Sequence, residues 1–291
     1  MPDSTQSSNL KRTLRRKAPK VVAVCSGKGG VGKTNVAANL AVALSNRGRN
    51  TCLFDADMSL ANVDVLLGLQ PLFNLSHVVS GEADLRSTII NGPGGIRIVP
   101  ASSGSFSMTD LPVAGQVGII QAFSELADQP EVLVVDTAAG ISPNVARFVQ
   151  AAQHPIVVVR DEPASLTDAY ALIKVFSQNY GINRFQVVTN QSRRRGDGRH
   201  LFQKLSRVTD HYLDVILRHA GDIPEDRYLA KAVQEQRAVV EAYPRSDSGA
   251  AFLALAGHID KLPSVREPSG GIEFFFERLL MSDSNRRGKV A

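Results

Sequence analysis

The sequence predicts an α/β fold: an open, mostly parallel, twisted sheet with helices on both faces, three layers deep. Short apolar runs alternate with amphipathic segments along most of the chain, the signature of a parallel sheet with crossover helices. Several of those runs are continuously apolar, as strands covered on both faces must be. In addition, a glycine-rich loop joins the first such run to a helical pattern.

Taken in order, Met1 to Lys17 is polar and basic, and lacks the apolar segment of a secretory signal. Strands are predicted over Val21–Val24, Thr51–Phe54, Ile96–Val99, Val132–Val135, Ile156–Val159 and Gln186–Thr189. Helices are predicted over Val36–Leu44, Ala114–Ala127, Ser165–Asn179 and Gly198–Thr209. Near the end, Ile272, Phe275, Phe276, Leu279 and Leu280 share one face of a short helix, with Glu273 and Glu277 on another. The expected division is a basic tail over 1–19, a nucleotide-binding domain over 20–265, an amphipathic helix over 270–281 and a tail over 282–291.

At 291 residues and 43% hydrophobic content the chain can bury one large core. No apolar run reaches the ~20 residues that span a bilayer, so an integral membrane protein is not expected; the expected place is the cytoplasm, with a peripheral position on the inner membrane or at the cell pole as the alternative. Cys25 and Cys52 both fall in strand-like runs and read as buried structural thiols. They offer no C-x-x-C pair for an iron–sulfur cluster. The net charge of +5 is uneven: Lys11, Arg12, Arg15, Arg16, Lys17 and Lys20 form one basic cluster. Arg193, Arg194, Arg195 and Arg199 form another. Such clusters are more often solvated than bound to nucleic acid, and direct DNA binding is not expected.

The chemistry begins at Cys25-Ser26-Gly27-Lys28-Gly29-Gly30-Val31-Gly32-Lys33-Thr34, which satisfies G-x-x-x-x-G-K-[ST] between a strand and a helix. Glycines there let backbone N–H groups close on phosphate oxygens, and the helix N-terminus adds partial positive charge. Gly27, Gly29, Gly30, Val31 and Gly32 would form the cradle. Lys33 would reach the β- and γ-phosphates, and the Thr34 hydroxyl would ligate Mg²⁺. The motif therefore predicts a P-loop protein that binds a nucleoside triphosphate. Two further strands end in acids: Thr51–Phe54 runs into Asp55-Ala56-Asp57, and Val132–Val135 into Asp136. Carboxylates at strand ends beside a triphosphate hold Mg²⁺, directly or through its waters, and orient the attacking water.

The extra lysine at position 28 makes KGGVGKT resemble the deviant Walker A loop of the MinD/ParA family. That resemblance implies an ATPase in which two subunits sandwich two ATP molecules, with Lys28 contacting the partner's nucleotide. It implies that Asp57 positions the hydrolytic water, that Asp55 and Asp136 support Mg²⁺ through water, and that Asn62 and Glu162 lie at the dimer contact. Asn190 would read adenine, although a plain turn asparagine fits its context too. Pro224, within Gly221-Asp222-Ile223-Pro224-Glu225-Asp226, would close over the base. Ser59 departs from the glycine common at its position.

The resemblance is most specific in Ala61–Gly68, Val134–Gly140, Asp161-Glu162-Pro163, Thr167–Lys174, Lys231–Gln234 and Ala242–Ser246, which look like the FlhG/FleN branch. That branch limits flagellar number and placement. It implies two partners, a FleQ-type AAA+ transcriptional activator and an FlhF-type GTPase. Gln6-Ser7-Ser8-Asn9-Leu10-Lys11 partly resembles the branch's FlhF-activating motif, and an ordinary polar leader fits equally. The C-terminal helix has two readings: a weak membrane anchor that dimerisation doubles, or an element docked on its own domain. A ParA-type DNA-partitioning protein and a MinD-type division-site regulator are the competing functions.

Overall fold

The computed structural model describes residues 19–57, 63–100, 120, 122–123, 128–263 and 273–281. The N-terminal motif, Asn62, Ser59 and most of the helix expected over 114–127 lie outside them.

Strand β1 (Lys20–Cys25) is buried along its whole length and leads through the glycine-rich loop into helix α1 (Lys33–Asn46). Then come β2 (Thr51–Ala56), the short helices α2 (Val63–Leu66), α3 (Leu75–Val79) and α4 (Leu85–Thr88), and strands β3 (Ile90–Asn91), β4 (Arg97–Val99) and β5 (Val132–Thr137). The remainder alternates: α5 (Pro143–Ala151), β6 (His154–Arg160), α6 (Pro163–Tyr180), β7 (Arg184–Ser192), α7 (Asp197–Tyr212) and β8 (Ile216–Pro224). Helices α8 (Arg227–Gln234), α9 (Val239–Ala242), α10 (Asp247–Asp260) and α11 (Glu273–Met281) follow.

The strands form one sheet in the order β3-β4-β2-β5-β1-β6-β7-β8, parallel except for the antiparallel β3–β4 pair at one edge. All six strands expected from the sequence are present. The two others, β3 and β8, sit at the edges, and β8 carries mixed polar and half-exposed residues that hide it from a search for apolar runs. Gly221–Pro224 form the end of β8, with Val188 opposite Gly221 and Asn190 opposite Ile223.

Two cores flank the sheet. Val22, Val24, Leu53 and Val134 face α1, α9 and α10. Ala23, Phe54, Leu133 and Val135 face α5, α6 and α11. Neighbouring residues of one strand thus feed opposite layers, the period-two geometry that explains the uninterrupted apolar runs. Helix α11 buries Phe275, Phe276 and Leu279 in the second core. The Phe276 ring stacks on Phe123 at 3.9 Å between centroids and meets Phe54 edge-on at 5.7 Å. Of the two readings of this helix, the docked one is the arrangement seen. Cys25 and Cys52 are buried as expected, and burial pushes both thiols up to about 12.

Candidate nucleotide site

Sheet register assembles the site. β1, β5 and β2 are adjacent, with Val24 opposite Asp136 and Asp136 opposite Asp55. The glycine-rich loop, Asp55, Asp57 and Asp136 therefore meet at the carboxyl ends of the central strands, where open α/β sheets bind ligands. A cavity of about 720 Å³ opens there, within the range of ligand pockets. Its wall includes Lys28, Gly29, Gly30, Gly32, Lys33, Thr34 and Asp57.

The loop is shaped for close approach. Gly30 and Gly32 have φ of 76° and 89°, and a Cβ at Gly32 would run into the Asn190 amide. Gly32 is the N-cap of α1 and no side chain caps that helix, so its leading N–H groups face the loop's concavity. Gly27 packs on the backbone of Asp168, leaving no room for a side chain. Val31 is buried, and its carbonyl accepts a 2.7 Å hydrogen bond from Asn190 Nδ2.

Lys33 Nζ lies 3.1 Å from Asp136 Oδ1, both groups almost wholly buried. Desolvation pushes the Asp136 carboxyl above its ordinary value, and the Lys33 charge and the nearby Thr34 hydroxyl offset part of that push. Its second oxygen, Oδ2, is buried without a hydrogen-bond partner. An anionic acceptor left open beside a threonine hydroxyl and a phosphate-type loop suits a hydrated Mg²⁺, so the residues present fit that ion.

Asp55 ties down the segment that follows it. Its Oδ1 accepts from the Asp57 N–H at 3.0 Å and its Oδ2 from the Val63 N–H at 3.3 Å. Asp57 and Val63 are thereby both tied to the end of β2, and Asp57 is held at the cavity wall. Gln236 adds a third tie: it has φ of 54°, and its Nε2 donates to the Val65 carbonyl at 2.9 Å.

Lys28 projects at the cavity's outer rim and is paired with Glu162 of the same chain at 3.2 Å. Arg160 pairs with the other Glu162 oxygen, also at 3.2 Å. The hydrogen bond from Lys28 and the charge of Arg160 hold the Glu162 carboxyl below its ordinary value.

Asn190 and Pro224 come from the paired ends of β7 and β8. Asn190 is beneath the loop, its amide donor engaged by Val31, while the adjacent Gln191, at φ of 58°, lines the cavity. Pro224 ends β8 and is not among the described cavity walls. Gly140 donates its N–H to the Ser26 carbonyl at 2.8 Å. Gln191 and Gln236 escaped the sequence reading because they match no motif, while Val65 and Val233 lie in segments that resemble the family without being assigned to the site; tertiary folding brings all four to the cavity.

Comparisons with known proteins agree with this geometry. The model of the ParA family, described as NUBPL iron-transfer P-loop NTPase, matches residues 17–260. The antiactivator FleN of Pseudomonas aeruginosa is 54% identical over 89% of this chain and 93% of its own. The flagellum site-determining protein YlxH of Helicobacter pylori is 31% identical over 95% of this chain and 98% of its own. Among solved structures, the Pyrococcus furiosus cell division ATPase MinD superposes with a TM-score of 0.66 at 25% identity, covering 84% of this chain and 99% of that one. MinD of Pyrococcus horikoshii, solved with Mg-ADP, gives 0.64 at 24% identity, covering 84% and 96%.

Proposed function

Because the chain belongs to the ParA/MinD family of P-loop ATPases and has flagellar regulators among its relatives, we propose that it is an ATP-switched homodimer that limits flagellar number and placement. The observation that carries the switch is the buried Lys33–Asp136 pair with its open Asp136 oxygen. Arriving phosphates would draw Lys33 away, and Asp136 would then face the Mg²⁺ shell. Thr34 and, through water, Asp136 and Asp55 would hold Mg²⁺, which would supply charge neutralisation on the phosphates. Asp57, fixed at the wall by Asp55, orients the attacking water.

Dimerisation follows from Lys28. About one-third exposed at the rim, it can exchange Glu162 for the triphosphate of a second copy, with Asn62 and Glu162 at the same contact. The ATPase body is 20–265, with α11 as a docked appendage that leaves it when a membrane competes for its apolar face. No described helix is long and apolar enough to cross a membrane. The ATP-bound dimer would bind a FleQ-type AAA+ activator and act with an FlhF-type GTPase, in the cytoplasm or at the inner face of the cell pole. The 54% identity to an antiactivator supports this over DNA partitioning or division-site selection.

Size-exclusion chromatography with ATP and with ADP tests the switch on wild type and Asp57→Ala. The expected result is a dimer with ATP alone, persisting in D57A because hydrolysis no longer dissolves it. A monomer under every condition overturns the dimer reading. Pull-down of a FleQ-type activator by the ATP-loaded D57A variant, absent with ADP, tests the partner.

A further inference from the structure

A second cavity, of about 270 Å³, lies at the opposite end of the sheet, where β6, β7 and β8 begin. Pro155, Phe185, Ile216, Leu262 and Pro263 give it apolar walls, and Arg184 and Arg218 give it two guanidinium groups. Both arginines are exposed, and neither side chain makes an ion pair or hydrogen bond among the described residues. Among the described residues no carboxylate lines the cavity. Lys261 adds positive charge nearby, felt together with that of Arg218 by His258.

The walls are fixed. His154 Nε2 bonds to the Pro263 carbonyl at 3.1 Å, and His258 Nε2 to Gln186 Oε1 at 3.1 Å. Gln153, another wall residue, donates to the Pro19 carbonyl, while its Oε1 is buried without a partner. An unneutralised arginine pair over apolar walls calls for an anion with an apolar neighbour. A single residue at the carboxyl end of a peptide has both, and its volume suits the cavity. Ile216, on the cavity wall, is 50% exposed.

The geometry points to a docking site for the C-terminal carboxylate of a partner protein, with an apolar last residue seated between Phe185 and Ile216 and the carboxylate on Arg184 and Arg218. The site is remote from the nucleotide and independent of the function proposed above.

The test uses the full chain and N-acetyl-L-leucine as the minimal terminus, read by the ring signals of its six histidines, with His154 and His258 assigned by substitution. Saturable shifts at both rings are expected, with none from N-acetyl-leucinamide, which lacks the carboxylate. R218Q should weaken binding about tenfold, equivalent to ~1.4 kcal/mol. R184Q/R218Q should abolish it, with thermal melting and ATP hydrolysis unchanged. N-acetylaspartate α-amide reports a side-chain carboxylate, and inorganic phosphate a general anion site. Equal or tighter binding of either, equal binding of the leucinamide, indifference to the arginine substitutions or absence of any shift overturns the proposal.

Discussion

Gly32 has two duties that no other residue can combine: a left-handed φ of 89° and a surface that lets Asn190 slide beneath the loop. Gly32→Ala adds a methyl where the amide sits and strains the backbone as well. ATP affinity should fall at least about tenfold, since a loop displaced by a fraction of an ångström loses several charge-assisted hydrogen bonds together. Equilibrium titration with a fluorescent ATP analogue checks it, and near-native affinity would count against the tight fit. At this scale the sequence was most readable for Lys28, Lys33, Thr34, Asp57 and Asp136, whose positions follow from a motif or a strand end. Asn190 was harder to place: its neighbours in sequence show a strand end, but only the approach of the loop shows that its amide serves Val31. Gln236 left no trace in the sequence, since a glutamine after a helix is commonplace.

At the scale of elements, α11 is held by rings. Phe276 touches Phe54, Phe123 and Phe275, and Phe148 stacks near Phe275 with centroids 6.5 Å apart. Phe276→Ala removes the middle of that cluster and should cost about 3–5 kcal/mol. Urea unfolding would show it as a lower midpoint with an unchanged slope. Deleting 270–291 exposes the same core, and loss of ATP-dependent cosedimentation with vesicles would establish the helix as the anchor; unchanged cosedimentation would remove that role. The amphipathic pattern of α11 was plain in the sequence, but a wheel cannot say which apolar surface receives it. The missing information was the Phe54–Phe123–Phe148 patch, assembled from three distant segments. Edge strands failed for a related reason: β8 is half-exposed and polar, so its pairing with β7 carries the identity that composition does not.

The whole molecule carries a pH signature. Burial lowers the pKa of His154, His219 and His258 from 6.5. Positive neighbours reinforce this: Lys20 at His154, Arg199 and His258 at His219, and Arg218 and Lys261 at His258, while Asp222 opposes it at His219. A folded pKa below the unfolded one means the unfolded state binds protons first. The stability is fully present above pH 6.5 and is lost as pH falls through the lowered native values. Melting temperature should therefore drop from about pH 7 to about pH 5.5, with a shallower drop in His258→Gln. A flat profile over that interval would contradict the assignment.

Lys20, at the start of β1, donates to the carbonyls of Ile259 and Asp260 at the end of α10, 239 and 240 residues away. β1 itself lies between β5 and β6. On a ribosome the central strand is thus the first of the sheet to be made but waits for its partners: neither neighbour exists until residues 132 to 160 emerge, and the lysine finds its carbonyls only after residue 260. Nascent chains must carry an unpaired apolar strand through about half of synthesis, a burden that falls on chaperones and on the speed of translation.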